Sequence, residues 1–261
     1  MSGDRVQLLD EGGSVVRLVK ALGAVVADAS GPAALIGGLA VLARASGAYR
    51  VTNDVGAVAE PDTLGRVLAA RGTPVGASWT VDGVKIDLVE VGTTPAAQLS
   101  VSDLPDDEAD RLFVLAHQWA LDIATEMEIA VCDERTRPLA VAACRVATPA
   151  ALVAMKVQSA PRRSAAGRYK TASDYADVHR LLTRPGLLVQ TAVALARAPH
   201  ALGDWVAAEL ERRFVGDAER VAGVIRTNLT LAAGAAITPD DLRETGHRFL
   251  AAFRHTERDD G

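Results

Sequence analysis

Residues 33–56, AALIGGLAVLARASGAYRVTNDVG, carry the pattern that decides the fold. A short apolar run meets a glycine pair, an apolar segment with helical spacing follows, and a polar Asn-Asp pair opens a second apolar run. This order predicts a strand, a glycine turn, a helix and an extended segment, which cover Ala33–Ile36, Gly37-Gly38, Leu39–Ala45, and Tyr49–Val51 with Asp54–Val58. The predicted site depends on this segment, because it places the glycine pair close to Asp54.

The elements outside this unit predict an α+β protein with a helical C-terminal half. Strands alternate with helices up to about residue 145, and the strongest hairpin signal is Asp82-Gly83 between Val75–Val81 and Val84–Val91. Other predicted strands are Glu128–Asp133 and Leu139–Cys144. Predicted helices are Ser14–Asp28, Pro61–Arg71, Glu108–Ile123, Pro149–Ser159, Thr171–Leu182, Leu187–Ala196, Leu202–Phe214, Ala218–Ala232 and Pro239–Phe253. We expect two domains, 1–147 and 148–261.

The composition favours a folded cytoplasmic protein. Hydrophobic residues make up 49% of the 261 residues and aromatics only 4%, so the core must consist mainly of Ala, Val and Leu. Cys132 and Cys144 have no metal-ligand spacing, so we expect two reduced, buried thiols. The N-terminal residues lack the apolar segment of a signal peptide, and no apolar run approaches the ~20 residues of a membrane span. We therefore expect no membrane partner.

Positive charge is concentrated in the middle of an otherwise acidic chain. The net charge is −5, yet the segment 135–184 has ten basic residues against two acids. Such a local field attracts polyanions, although a solvated face of ion pairs would have the same composition. The basic residues are Arg135, Arg137, Arg145, Lys156, Arg162, Arg163, Arg168, Lys170, Arg180 and Arg184.

Asp54 and Asp87 are the first candidates for chemistry. Each is a carboxylate beside aliphatic residues on a predicted strand, which is unfavourable unless it faces water, a metal or a cation. If the two strands are neighbours, the carboxylates converge, and Mg²⁺ prefers such oxygen ligands together with substrate phosphates. The alternatives are a solvent-facing strand residue for Asp87 and a turn-forming Asn-Asp pair for Asp54.

Two further groups could contact phosphate. A glycine pair between strand and helix allows a phosphate to approach the backbone amides, although many such pairs are only turns. Lys156 can act as a point charge for a triphosphate, and Asp174 could orient it or act as an acid or base. Asp174 and Asp177 lie on one helix face, where the alternative is a pair of surface carboxylates bonded to Arg180 or Lys170.

Taken in order, these residues resemble a known enzyme family. The set Gly37-Gly38, Arg50-x-Thr52-x-Asp54, Asp87, Lys156 and Lys170-x-x-x-Asp174-x-x-Asp177 is similar to the AbiEii/AbiGii-toxin-like nucleotidyltransferases of the polymerase-β-like superfamily. The match spans roughly Ala33 to Leu182. Its most specific part is LVAMK followed by RYKTASDYADVHRLL. The resemblance implies a mixed sheet with flanking helices, and a toxin that transfers NMP from an NTP to an acceptor such as the tRNA 3′ end.

The family pattern also implies a role for each matching residue. Gly37, Gly38 and Thr52 would bind the nucleotide, and Asp54 and Asp87 would hold Mg²⁺. Lys156 and Asp174 would come from the helical domain as catalytic residues, with Lys156 also contacting phosphate. In the hypothesis of an active enzyme, Arg162, Arg163 and Arg168 neutralise phosphate together with Lys156, and Arg168 and Lys170 contact the nucleotide. A cognate antitoxin protein would be the partner.

Gly56 departs from the Asp-x-Asp of the family, because glycine has no oxygen to offer a metal. Losing one carboxylate weakens metal binding and the charge stabilisation that depends on it. Three hypotheses follow: a working nucleotidyltransferase, a pseudoenzyme that binds nucleotide or RNA without turnover, and an interaction protein whose helical half docks a partner.

Overall fold

The computed structural model describes residues 4–9, 13–46, 52–160, 167–231 and 236–259. The expectations for Tyr49–Val51, Arg162 and Arg163 lie outside these residues. The chain is α+β, as expected from the sequence, and it forms two compact units. The first contains Met1–Pro95 and Ala120–Thr148, and the second contains Ala96–Trp119 and Pro149–Gly261. Residues 96–119 thus belong with the C-terminal helices.

The described residues of the first unit form one mixed sheet of eight strands in the order β1-β7-β8-β2-β3-β6-β5-β4. Strand β2 is antiparallel to β3, and β3 is parallel to β6. The strands are β1 Asp4–Leu9, β2 Ala33–Ile36, β3 Asp54–Ala59, β4 Thr73–Val75, β5 Ser78–Val81, β6 Val84–Glu90, β7 Thr125–Cys132 and β8 Pro138–Val146. The two strands predicted on either side of the glycine pair, β2 and β3, therefore lie in the middle of the sheet.

Among the described residues, three whole helices belong to this unit: α1 Ser14–Val26, α2 Gly37–Ala45 and α3 Gly65–Arg71. Helix α1 buries one apolar stripe, including Leu18, Leu22 and Val25. Val25 lines a pocket together with Val55 of β3 and Ile86 of β6. Because neighbouring residues of a strand point to opposite faces, Asp54, Gly56 and Asp87 lie on the other face of the sheet.

The observed strands differ from the predicted strands at two places. The N-terminal strand β1, parallel to β7, was not predicted from the sequence, because only Val6 and Leu8 alternate with exposed residues there. The expected strand Val75–Val81 is divided at Gly76, which has a φ of +62°, into β4 and β5. The turn at Asp82-Gly83 is confirmed, with φ of +50° and +75°, which matches the twist of a two-residue hairpin.

The second unit is helical in its described residues. It contains most of α4 Glu108–Asp122, then α5 Pro149–Ser159, α6 Arg168–Thr183, α7 Pro185–Ala196, α8 Leu202–Leu210, α9 Ala218–Asn228 and α10 Pro239–Asp259. Its largest fully buried side chains include Phe214 and Phe249. The predicted helix Leu202–Phe214 instead ends at Leu210 and continues as a π-helical turn, Glu211–Gly216.

No helix in the described residues has the length and apolar character that a membrane span requires. Both cysteines are free and buried, as expected. Burial, together with the nearby Glu126 carboxylate and against the opposing effect of Arg44, raises the pKa of Cys144 to about 12. Its thiol is therefore protonated and unreactive at neutral pH.

His179 on α6 makes the stability of the chain depend on pH. Burial lowers its pKa to about 4, with Asp241 opposing and Arg180 reinforcing the shift, and within the described chain its Nε2 has no hydrogen-bond partner. The folded protein binds the proton less readily than the unfolded chain does. The stabilisation is therefore complete above about pH 6.5 and is lost as the pH falls towards 4.

We expect His179→Leu to remove this part of the acid sensitivity. Between pH 7 and pH 4 the free energy of unfolding of the native chain should fall about 3 kcal/mol further than that of the variant. Urea unfolding at both pH values, followed by circular dichroism, measures the difference. Equal losses in the two proteins would show that His179 is not desolvated.

Candidate functional site

The turn between β2 and α2 lies at Gly37 and Gly38, which are both half-buried. Gly37 has a φ of +75°, a conformation that a residue with a side chain rarely adopts, so glycine is required at this position. The N-cap residue Ile36 makes no side-chain cap hydrogen bond. The first N–H groups of a helix have no partner within it, and this makes the start of α2 a suitable place for an anion.

Helix α2 is fixed to the sheet at its other end by Arg44. The Arg44 guanidinium donates hydrogen bonds to the carbonyl oxygens of Val146, at 2.6 Å, and Ala147, at 3.0 Å. It also donates to Thr125 Oγ1 at 2.6 Å. These contacts join α2 to the ends of β7 and β8, so they determine where the opposite end of the helix, at Gly37, lies.

Gly37 lies directly against Gly56 of β3. A Cβ atom added at Gly37 would be 3.8 Å from the Cα of Gly56. A Cβ atom added at Gly56 would be 3.1 Å from Ile36 Cγ1 and 3.3 Å from the Ile36 carbonyl oxygen. The turn therefore packs closely on the strand, and the position where the family has its second aspartate has little room for a side chain.

Asp54 and Asp87 lie on neighbouring strands. In the parallel pair β3–β6, Asp54 is opposite Lys85 and Gly56 is opposite Asp87. Partners in register point to the same side of a sheet, so both carboxylates share one face with Gly56 and Lys85. Asp54 and Asp87 are half-buried, and 37% of the Asp87 side chain is exposed, so this aspartate faces solvent in part.

Asp87 is the centre of a hydrogen-bonded group. Ser78 Oγ donates to Asp87 Oδ1 at 2.5 Å. The Lys85 ammonium is 2.7 Å from Oδ1 and 2.9 Å from Oδ2 of the same carboxylate. The i, i+2 spacing of Lys85 and Asp87 on a strand predicts that they share one face, whereas the contact with Ser78 was not expected from the sequence.

Thr52 precedes β3, and its hydroxyl is buried. The residue is 7% exposed, and Oγ1 has no hydrogen-bond partner among the described residues. Buried polar groups are normally paired, so an unpaired hydroxyl next to Asp54 is an observation in need of an explanation. Its role in nucleotide binding stays a prediction.

In the second unit, Lys156 of α5 is buried with two carboxylates of α6. Its Nζ is 3.0 Å from Asp174 Oδ1 and 2.6 Å from Asp177 Oδ2. Ser159 Oγ donates to the second oxygen of Asp174 at 3.0 Å. Asp174 and Asp177 are 4% and 0% exposed, so the alternative of surface carboxylates is wrong, and the i, i+3 spacing on α6 brings both acids to Lys156.

Burial determines the charge of this cluster. Complete burial raises the pKa of Asp177 well above its usual range. A carboxyl group that is buried in this way favours its neutral form, because the charged form loses its hydration.

The other basic residues of the segment 135–184 differ in their exposure and in their contacts. Arg168 and Lys170 lie exposed at the start of α6 in the second unit. In the first unit, Arg145 donates hydrogen bonds to the carbonyl oxygens of Leu121 and Ala124, and Arg137 pairs with Asp133. Part of the basic segment thus has structural contacts rather than forming a continuous surface for a polyanion.

The donor set of the first unit fits one Mg²⁺. This ion is often held by one or two carboxylates together with substrate phosphates and water, and Asp54 and Asp87 supply two carboxylates on one face. The described residues contain no group of three or more His, Cys, Asp or Glu side chains arranged for a metal. Gly56 contributes no oxygen, so the residues do not supply a shared carboxylate for a second ion.

No family model, no curated protein and no solved structure matches this chain.

Proposed function

We propose that the chain is a nucleotidyltransferase of the polymerase-β-like type, which transfers NMP from an NTP to an acceptor hydroxyl. The observation that carries the proposal is the contact of Gly37 with Gly56, the residue in register with Asp87. This contact brings the start of α2 close to the two strands that carry the carboxylates, and a helix start is a favourable place for an anion. A triphosphate and its metal need these two features next to each other.

The residues of the first unit have distinct roles in this proposal. The amides at the start of α2 bind the triphosphate, and Gly37 leaves the backbone open to it. Asp54 and Asp87 hold one Mg²⁺, which, when bound, neutralises charge on the phosphates. Thr52 offers its buried hydroxyl to the nucleotide. Positioning the acceptor hydroxyl in line with the leaving pyrophosphate provides the rest of the rate enhancement.

The family resemblance supplies the remaining parts of the proposal. The acceptor that we would test first is the 3′ end of tRNA, and a cognate antitoxin protein is the expected partner, with both acting in the cytoplasm. In the second unit, Lys156 and Asp174 keep their assignment as catalytic residues, and Arg168 and Lys170 keep theirs as nucleotide contacts. The exposure of Arg168 and Lys170 supports a contact with phosphate.

A second candidate is a protein that binds nucleotide or RNA without turnover. The packing of Ile36 against Gly56 favours it, because a chain retaining the second aspartate would have to accommodate a side chain there. Such a protein would keep the anion site at α2 and lose the chemistry. Its binding to RNA would depend strongly on salt concentration, since it would come from phosphate contacts.

A labelling experiment decides between the two. Purified protein is incubated with Mg²⁺, total tRNA and each α-labelled NTP in turn, and RNA and protein are then separated on gels. Label on RNA supports the transferase. Nucleotide or tRNA bound without transfer of label supports the second candidate, and neither binding nor transfer would reject both. A pull-down that recovers only a protein partner would then favour an interaction protein.

A further inference from the structure

The carboxylate assigned to the metal already has a cation beside it. Lys85 Nζ lies within 2.9 Å of both Asp87 oxygens, whereas an ammonium that only passes a carboxylate would approach one of them. Ser78 holds the carboxylate from the neighbouring strand, through its 2.5 Å hydrogen bond to Oδ1. The ion pair is therefore part of a hydrogen-bonded arrangement across β5 and β6.

The register between β3 and β6 places Asp54 next to this ion pair. Lys85 is opposite Asp54, and Asp87 is opposite Gly56, so the four residues form a block on one face of β3 and β6. The block contains two carboxylates and one ammonium. With an aspartate at position 56 it would contain three carboxylates, and the lysine would neutralise a smaller fraction of their charge.

We propose that Lys85 is an internal cation that competes with Mg²⁺ for Asp87. Metal can bind this carboxylate only when the ammonium moves away, because the two cations would otherwise repel one another. The Lys85 side chain is 50% exposed, and an exposed ion pair is weak, so the displacement is feasible. The inference rests on the assignment of Asp54 and Asp87 to the metal in the proposed function.

A bound triphosphate would favour displacement of the Lys85 ammonium from Asp87. Lys85 is on the same face as the carboxylates, so an incoming triphosphate offers it a new anionic partner. The nucleotide and the metal then favour each other's binding, whereas metal alone meets the closed ion pair. The chain should accordingly bind free divalent ions weakly until this lysine is removed.

Binding of Mn²⁺ alone tests the inference in the full chain. The free ion is counted by electron paramagnetic resonance for the native protein, Lys85→Met, Lys20→Met and the double variant Lys85→Met/Asp87→Asn. Removal of the competing charge should lower the dissociation constant of Mn²⁺ by about tenfold. Lys20 is an exposed lysine of α1, so its replacement should change nothing. The double variant should lose the gain.

Unchanged or weaker Mn²⁺ binding in a folded Lys85→Met protein would overturn the inference, as would an equal gain in Lys20→Met. Lys85→Gln is the second variant, which keeps a polar side chain of similar reach. If circular dichroism shows both variants unfolded, the Lys85 ammonium resonance of the native protein decides. A shift with added Mg²⁺ supports displacement, and no shift at saturation rejects it.

The outcome is separate from that of the labelling experiment. The Mn²⁺ measurement needs neither nucleotide nor turnover, so a chain without transferase activity can still show competition by Lys85. An active transferase whose Mn²⁺ affinity does not depend on Lys85 would overturn this inference alone.

Discussion

Replacing Lys156 with methionine should lower the free energy of unfolding by about 3–5 kcal/mol, the range for removing one partner of a buried ion pair. The change keeps most of the side-chain volume and deletes the ammonium that bonds Asp174 and Asp177. Asp174 is 4% exposed and would lose this charged partner in a buried position. Denaturant unfolding followed by circular dichroism measures the loss.

Two other variants show that the effect is specific to the cluster. Lys170→Met changes the same residue type at an exposed position of α6 and should alter stability by about 0.5 kcal/mol or less. Asp177→Asn mimics a neutral carboxyl group and should cost about 1 kcal/mol, which is the size of one perturbed hydrogen bond. If Asp177→Asn were as damaging as Lys156→Met, the carboxyl group of Asp177 would be ionised in the native protein.

The sequence was most informative where apolar spacing and glycine positions act together. Ala33–Ile36 and Pro149–Ser159 were predicted to the residue, because a strand that ends at an obligatory glycine and a helix that starts at a proline have sharp boundaries. The pairing of β3 with β6 was assumed when Asp54 and Asp87 were predicted to converge, and it could not be predicted from the sequence. Register depends on long-range packing, and no local pattern specifies it.

The partners of the charged side chains were harder to predict, because they also depend on packing between distant segments. Asp174 and Asp177 have the spacing of surface acids on a helix, and only the packing of α5 against α6 shows that they share Lys156. Ser78 is nine positions from Asp87 and reaches it because the hairpin turns at Asp82-Gly83. Gly56 was recognised as a departure from the family, but its close contact with Ile36 could not be inferred without coordinates.

In the proposed nucleotidyltransferase, replacing Asp54 with asparagine should reduce transfer of labelled nucleotide by about a hundredfold, the loss typical when one group that stabilises transition-state charge is removed. The amide keeps the size of the side chain and removes the negative charge. With Gly56 already lacking an oxygen, Asp87 would be the only carboxylate left among the three family positions. The loss should appear in kcat, with little change in folding.

Asp62→Asn is the matched control, because Asp62 is an exposed aspartate close by in the sequence whose nearest charged partner is Arg66, at 3.7 Å. Asp62 has a φ of +61°, which asparagine tolerates well, so the control protein should fold and transfer label like the native chain. Equal activity of native and Asp54→Asn proteins would remove Asp54 from the site. Equal losses in both variants would show that the effect is not specific to the carboxylate on β3. A loss confined to Asp54→Asn, at unchanged stability, would mean that the carboxylate on β3 supports the chemistry without its missing neighbour at position 56.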